Sequence, residues 1–331
     1  MKKISFLEHI KMYWKFFFEK GNKYPKEPLP QQKVATEQFL RGVGKELKSS
    51  WLGHSSLLIS ISGYTVLTDP VFTDKVSPIG PTRFTRKLPL EISDLESVDV
   101  VIVSHDHYDH LNKDSVQQLS GKVGVFIVPV GVGKRLQSWG VSGRKIVELN
   151  WWDEYQYGNQ LTIAATPAQH FSGRGLFDRN KTKWASWVIR TAEHQVFFSG
   201  DTGYFEGFKE IGLKYGPFDV AFMECGAYDK RWANVHMLPE QTVQAFLDLN
   251  GAILQPLHWA TFNLAFHPWY EPVERLTSEA WKKNVHVSTP EIGQVVNYSK
   301  EVVPHQWWLP VMEKHRKGPV PSRIVVDVSR Q

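Results

Sequence analysis

The stretch DVVIVSHDHYDHLN, residues 99–112, decides how the rest of the chain is read. Val100, Val101, Ile102 and Val103 form a short apolar run. It is too short for a helix, rich in β-branched residues and closed by polar ones, so it reads as a buried strand. Residues 104–110 then crowd three imidazoles and two carboxylates into a few positions. Neutral imidazole and carboxylate are the usual ligands of zinc and its neighbours. On a tight loop, His105 and His107 can serve one ion while Asp109 and His110 turn to a second. The competing reading is a solvated polar loop, which gives no reason for so many ligand-type side chains at one strand end.

Outward from that loop, further strand-like runs end in single ligand-type residues. LTIAATPAQH leads to His170, QVFFSGDTGY to Asp201 and AILQPLHW to His258. Gly200 and Gly203 flank Asp201 and permit a sharp turn there. Upstream, SWLGHSSLLISI and YTVLTDPVF are β-rich runs joined at Ser62-Gly63, a hairpin signal. His54 in the first run reads as a hydrogen-bonded structural histidine, a support for a ligand, or a substrate contact. Asp69, before Pro70, reads as a turn or supporting carboxylate rather than a ligand. Residues 75–89 form a loop carrying Arg83, Arg86 and Lys87, either solvated or a rim for phosphate oxygens. His236, ahead of the amphipathic helix in MLPEQTVQAFLDL, is a helix-start residue or a substrate contact. Short helices are expected over 112–119, 131–139 and 205–215. The tail beyond residue 269 shows proline breaks and a strand-like VHVST.

The pattern of HxHxDH after an apolar strand, then a lone His, an Asp and a final His, resembles the signature of the metallo-β-lactamase fold superfamily. Within it, WLGHSS, LTDPVF, the segment 80–84, SHDHYDHL, ELNWWDE, TPAQH, FSGDTGY, YGPFD, GAYxxRW and LHWATF together resemble the N-acyl-phosphatidylethanolamine-hydrolysing phospholipase D family and its bacterial relatives. The similarity runs from about residue 51 to about residue 272. It implies an α/β fold, specifically a four-layer αββα sandwich with the site along one edge of two mixed sheets. It implies two divalent metal ions, zinc first among the candidates. His105, His107 and His170 would hold one ion, and Asp109, His110 and His258 the other, with Asp201 as the bridge.

The expected chemistry is attack of a metal-bridging hydroxide on phosphorus. Asp109 and Asp201 are the candidate catalytic carboxylates; His54, Arg83, Arg86 and His236 are the candidate substrate contacts. The alternatives are a metal-dependent lactonase acting on a sugar phosphate and a non-catalytic metal-binding module. An antibiotic β-lactamase fits less well, because that family commonly has Cys where Asp201 stands. A di-iron redox protein fits less well, because that branch has a carboxylate at the position of His107. No Ser-His-Asp arrangement and no GxxxxGK[ST] loop points to a covalent serine route or an NTPase.

Composition bounds the rest. A chain of 331 residues, 42% hydrophobic and 22% charged, is that of an ordinary globule. Its one cysteine, Cys225, excludes an internal disulfide. A formal charge of +5 mildly favours anionic partners without implying nucleic acid. Thirteen tryptophans suggest an aromatic groove as well as a core. Residues 1–48 are expected to be an N-terminal helix and linker arm, and 49–331 a single metallo-hydrolase domain. In residues 4–20, Phe6, Ile10, Tyr13, Trp14 and Phe17 recur at helical spacing. That face can dock on the body, pair two subunits as a homodimer, or lie on an anionic membrane beside a phospholipid substrate. No stretch approaches the roughly 20 apolar residues of a membrane span. The expected setting is the cytoplasm, with peripheral membrane contact through that helix.

Overall fold

The computed structural model describes residues 22–36, 44–77, 80–85, 87–175 and 177–313. The helix expected over 4–20, Arg86 and the basic C-terminal end lie outside them. Thirteen strands among the described residues make two mixed sheets. The first sheet contains β1 (Leu47–Trp51), β2 (Leu57–Ile61), β3 (Tyr64–Thr68), β4 (Val98–Ile102), β5 (Val123–Pro129) and β6 (Ile146–Leu149). The second contains β7 (Glu154–Tyr157), β8 (Leu161–Thr166), β9 (Ser186–Arg190), β10 (Gln195–Phe198), β11 (Phe218–Glu224) and β12 (Gly251–Leu257). The last strand, β13 (Val295–Asn297), returns to the first sheet and pairs with β1, giving the order β13-β1-β2-β3-β4-β5-β6 against β12-β11-β10-β9-β8-β7.

The helices are α1 (Lys113–Leu119), α2 (Gly133–Ser138), α3 (Gly207–Tyr215), α4 (Pro239–Asp248), α5 (Glu271–Lys282) and α6 (Trp308–Glu313). Period-2 alternation in the central strands separates the layers. In β4, Val100 and Ile102 join the core shared by the two sheets, together with Ile163, Trp187, Val196 and Phe198. Val101 and Val103 face the opposite way and pack with Val116 and Leu119 of α1 and Leu136 of α2. Both faces of this strand are therefore dry, which is why it reads as an unbroken apolar run. Each such side chain contributes about 1.5–3 kcal/mol by its burial. On the far side of the second sheet, α4 lies against β11 and β12, with α3 and α5 beside it. This is the four-layer αββα sandwich.

Three local readings change. The run over 50–61 is two strands, broken at residues 52–56, where Gly53 (φ +96°) and His54 (φ +55°) turn the chain. VHVST forms only an isolated bridge, between Val287 and Leu254. The tail instead supplies α5 and β13. Pro272 sits in the first turn of α5, where its missing N–H costs nothing, so it starts that helix rather than breaking it. Residues 22–36 run along the body: Leu29 is buried, and the backbone N–H groups of Gln32 and Val34 donate to Ile292 and Pro89.

Candidate metal centre

Four strands of the two sheets end at the same edge, as ligand-bearing strands of open α/β sheets commonly do. The loop after β4 is closed by N–H groups of His110 and Leu111 donating to the carbonyl of His107. It presents His105, His107, Asp109 and His110, while β8, β10 and β12 lead to His170, Asp201 and His258. His258 takes a left-handed backbone conformation, φ +66°. Its N–H donates to the carbonyl of His54, which ties the two sheets together at the site.

The seven side chains form two adjoining clusters. In the first, Nδ1 of His107 lies 2.8 Å from Nε2 of His105 and 3.3 Å from Nε2 of His170. In the second, Nε2 of His110 lies 3.3 Å from Nε2 of His258, and Oδ2 of Asp109 lies 3.4 and 3.5 Å from these two nitrogens. Asp201 stands between the clusters. Its Oδ2 is 3.9 Å from both His105 and His170 and 3.0 Å from His110, and its Oδ1 is 3.1 Å from His258.

These spacings test the donor set. Ligands about 2.0–2.1 Å from a tetrahedral ion stand about 3.3 Å from one another. Lone-pair nitrogens that converge at this distance repel one another unless a cation or a proton lies among them. Oδ1 of Asp201 is buried, and Nε2 of His258, 3.1 Å away, is not aligned to donate to it. The geometry and the donor chemistry both fit divalent metal.

The electrostatics agree. Burial pushes the His105 and His170 imidazoles well below their usual range, toward the neutral form a metal needs. Burial also acts to lower His258, but Asp201 and Asp109 beside it outweigh that and hold it up at about 9. Burial works against ionised Asp109 and Asp201, yet the facing His110 and His258 hold both well below the carboxylate range. Two buried carboxylates thus remain charged and draw positive charge to the pocket. An ionised Asp109 is a ligand or a proton acceptor, not a proton donor.

Supporting residues fix the rings, as metal-bound histidines require. Nδ1 of His170 donates to the carbonyl of Val235 at 2.9 Å. Asp69 is the supporting carboxylate its position suggested: its Oδ2 lies 2.7 Å from Nδ1 of His110.

Of the four candidate substrate contacts, two are corrected. His54 is 1% exposed, and its Nε2 lies 2.9 Å from Oδ2 of Asp109. Its ring is buried behind Asp109 rather than presented at the surface; burial, reinforced by His258, pushes its pKa down to about 3, so the ring is a neutral donor. Arg83 is no rim residue. It is 3% exposed, and its guanidinium donates to the carbonyls of Val71 (2.7 Å) and Leu52 (3.3 Å), closing the loop onto the body. Arg86 lies outside the described residues. His236 does reach the site, with its ring centre 5.2 Å from that of His170 and 5.3 Å from that of His258.

Three participants were not foreseen. Glu224, wholly buried at the end of β11, accepts from Met237 N–H at 2.7 Å and lies 3.2 Å from Nδ1 of His236. A carboxylate closing the apolar run FDVAFME is the same strand-end signal that marks the ligands. Asp106 and Arg174, which join two ligand loops, carry no comparable signal in the sequence.

A family model described as the Beta-lactamase superfamily domain matches residues 64–259, a segment that contains all seven donors. The chain belongs to the metallo-β-lactamase superfamily, as a metal-dependent hydrolase. It is 44% identical over 302 residues to an uncharacterised protein of Mycobacterium tuberculosis, covering 89% of this chain and 80% of that one. It is 34% identical over 264 residues to N-acyl-phosphatidylethanolamine-hydrolyzing phospholipase D 1 of Caenorhabditis elegans, covering 75% of this chain and 73% of that one. Among solved structures, Igni18, a metallo hydrolase of Ignicoccus hospitalis, shares the fold with a TM-score of 0.59 at 23% identity, covering 77% of this chain and 100% of that one.

Proposed function

We propose that this chain is a phosphodiesterase of phospholipase D type that holds two zinc ions and acts on N-acyl phosphatidylethanolamine or a related amphiphilic phosphodiester. The observation that carries the reading is the position of Asp201, whose two oxygens reach both histidine clusters. The substrate class is supported by the similarity to the nematode phospholipase D. Ions held in this way make water nucleophilic at neutral pH and stabilise charge developing on phosphoryl oxygens. The chain's own residues do the rest. Asp109, held ionised and backed by His54, would hold an ion together with His110 and His258. Glu224 fixes Nδ1 of His236 and leaves Nε2 for the substrate. The lactonase alternative drew on the basic loop, and the burial of Arg83 removes one of its cations. The sequence of residues 4–20, with apolar and aromatic residues at helical spacing and lysines between them, suits contact with an anionic bilayer. Among the described residues, no helix is long and apolar enough to cross a membrane.

The test is hydrolysis by the zinc-loaded chain of N-acyl phosphatidylethanolamine in mixed micelles, of bis(p-nitrophenyl) phosphate and of a sugar-phosphate lactone. Diester cleavage that is abolished by chelator and restored by zinc is expected, with metal content approaching two ions per chain. Lactonase activity without diesterase activity overturns the reading. Deleting residues 1–20 is expected to weaken binding to anionic vesicles while cleavage of the soluble diester persists.

A further inference from the structure

Behind the first histidine cluster, two loops from different sheets grip each other. One is the ligand loop after β4. The other follows His170. Nη1 of Arg174 donates to three carbonyls of the ligand loop: Leu111 at 2.6 Å, Asp106 at 3.0 Å and His107 at 3.4 Å. Its guanidinium lies 3.7 Å from the ring centre of Tyr108. The ligand loop grips back through Asp106, the residue between His105 and His107. That carboxylate is 1% exposed and accepts from Gly173 N–H at 2.8 Å and from Nη2 of Arg135 at 3.1 Å. Asp178 holds Arg174 in place by accepting from its N–H at 3.0 Å, and it pairs with the same Arg135 at 3.4 Å.

A three-histidine position drawn from two sheets binds metal tightly only if its segments are already in register, since ordering them on binding subtracts from affinity. The observed contacts supply that register. The guanidinium lies over the Tyr108 ring while its Nη1 alone points at the three carbonyls; an ammonium placed to reach those carbonyls gives up the flat face that covers the ring.

We propose that Arg174 is a positioning residue for metal binding: by clasping the carbonyls of Asp106, His107 and Leu111, it holds His105 and His107 in register with His170 and sets the affinity of that three-histidine position. This rests on the two-ion reading of the site.

The full chain is stripped of metal, and zinc affinity is measured by competition with a chromogenic chelator for wild type, Arg174→Lys and Arg174→Ala. Melting of each metal-free protein is recorded alongside. Arg174→Ala is expected to weaken one zinc equivalent by roughly 10- to 100-fold, the range for supporting residues of metal ligands. The other equivalent stays near wild type, and the metal-free protein stays folded with a modestly lower melting temperature, because three carbonyls lose their charged donor. Low, non-denaturing concentrations of guanidinium ion are expected to restore much of the lost affinity in Arg174→Ala. Arg174→Lys, which keeps the charge and most of the stem, is expected to weaken the same equivalent without that rescue. Wild-type zinc affinity in a folded Arg174→Ala or Arg174→Lys protein overturns the inference, even if KM rises. Equal weakening of both equivalents with no rescue overturns it as well. A wild-type chain that takes up fewer than two ions overturns the two-ion reading and this inference with it.

Discussion

Nδ1 of His110 lies 2.7 Å from Oδ2 of Asp69, and both side chains are wholly buried. Ser104 donates to the same carboxylate through its N–H and its hydroxyl, each at 2.6 Å. This arrangement keeps a proton on Nδ1 and aims Nε2 at His258 and Asp201. Replacing Asp69 by Asn preserves shape but allows the amide N–H to face the ring and favour the wrong tautomer. Asp69→Asn is therefore expected to lower zinc affinity by roughly 10- to 100-fold, read by chelator competition. An unchanged affinity would mean that the ring is oriented by packing alone.

Asp201 is 4% exposed; its oxygens lie 3.0 and 3.1 Å from His110 and His258 of one cluster and 3.9 Å from His105 and His170 of the other. Asp201→Asn removes the charge that the clusters share while keeping the volume. Activity is expected to fall by more than the roughly 10- to 100-fold seen for supporting residues. Circular dichroism should stay that of wild type, since no core side chain is lost. An Asn variant with full activity and full metal content would rule out the shared-carboxylate arrangement.

What could be read from the sequence was what is local. Each ligand closes an apolar strand, so strand and donor are legible together, and β4 with its HxHxDH loop marks the edge where the others must gather. The hairpin at Ser62-Gly63 and the short helix expected over 112–119, found as α1, are local in the same way. Arg83 misled because a cation in a polar loop looks solvated; only the three-dimensional path shows the carbonyls of Leu52 and Val71 converging on it. Arg174 was illegible for the same reason, since its partners are backbone oxygens more than 60 residues away. The strand β13 was missed because its pairing with β1 joins the two ends of the domain.

Gly226 sets how closely β11 and the His258 turn can approach. A Cβ there would stand 1.9 Å from the carbonyl oxygen of His258, far inside contact distance, and the obstacle is backbone. Gly226→Ala is expected to cost about 1–3 kcal/mol and to loosen the ion at the Asp109–His110–His258 cluster. Gly121→Ala is the control, because nothing lies within 4 Å of a Cβ at that position. Melting and metal analysis of the two variants make the comparison, and equal behaviour would refute the steric argument.

Arg83 gives a stability prediction where a binding one was first expected. Its guanidinium is buried, satisfies two carbonyls and lies 4.9 Å from the ring centre of Phe262. Burial pushes its pKa down only to about 10, so it stays charged at neutral pH. Arg83→Met keeps the stem but removes charge-assisted hydrogen bonds, at an expected cost of about 1.5–3 kcal/mol. Denaturant unfolding should show a lower midpoint while KM for a soluble diester holds. The reverse pattern, normal stability with raised KM, would return Arg83 to the substrate.

Acid sensitivity should be traceable to Asp178. Its carboxylate accepts from the N–H groups of Gly175 (2.8 Å) and Arg174 (3.0 Å) and pairs with Arg135. The Gly175 bond is the largest influence, and together these hold the group below its usual value of 3.8. A group depressed by folding stabilises the fold above its unfolded value and loses that contribution as the pH falls through its folded one. Wild type should therefore be more stable than Asp178→Asn near neutrality, and the gap should narrow as the pH drops below 3.8. Unfolding midpoints for both proteins, measured in steps from neutral pH down into the acid range, give the comparison. A gap that persists unchanged into strong acid would show that the amide costs the loop its shape rather than its charge.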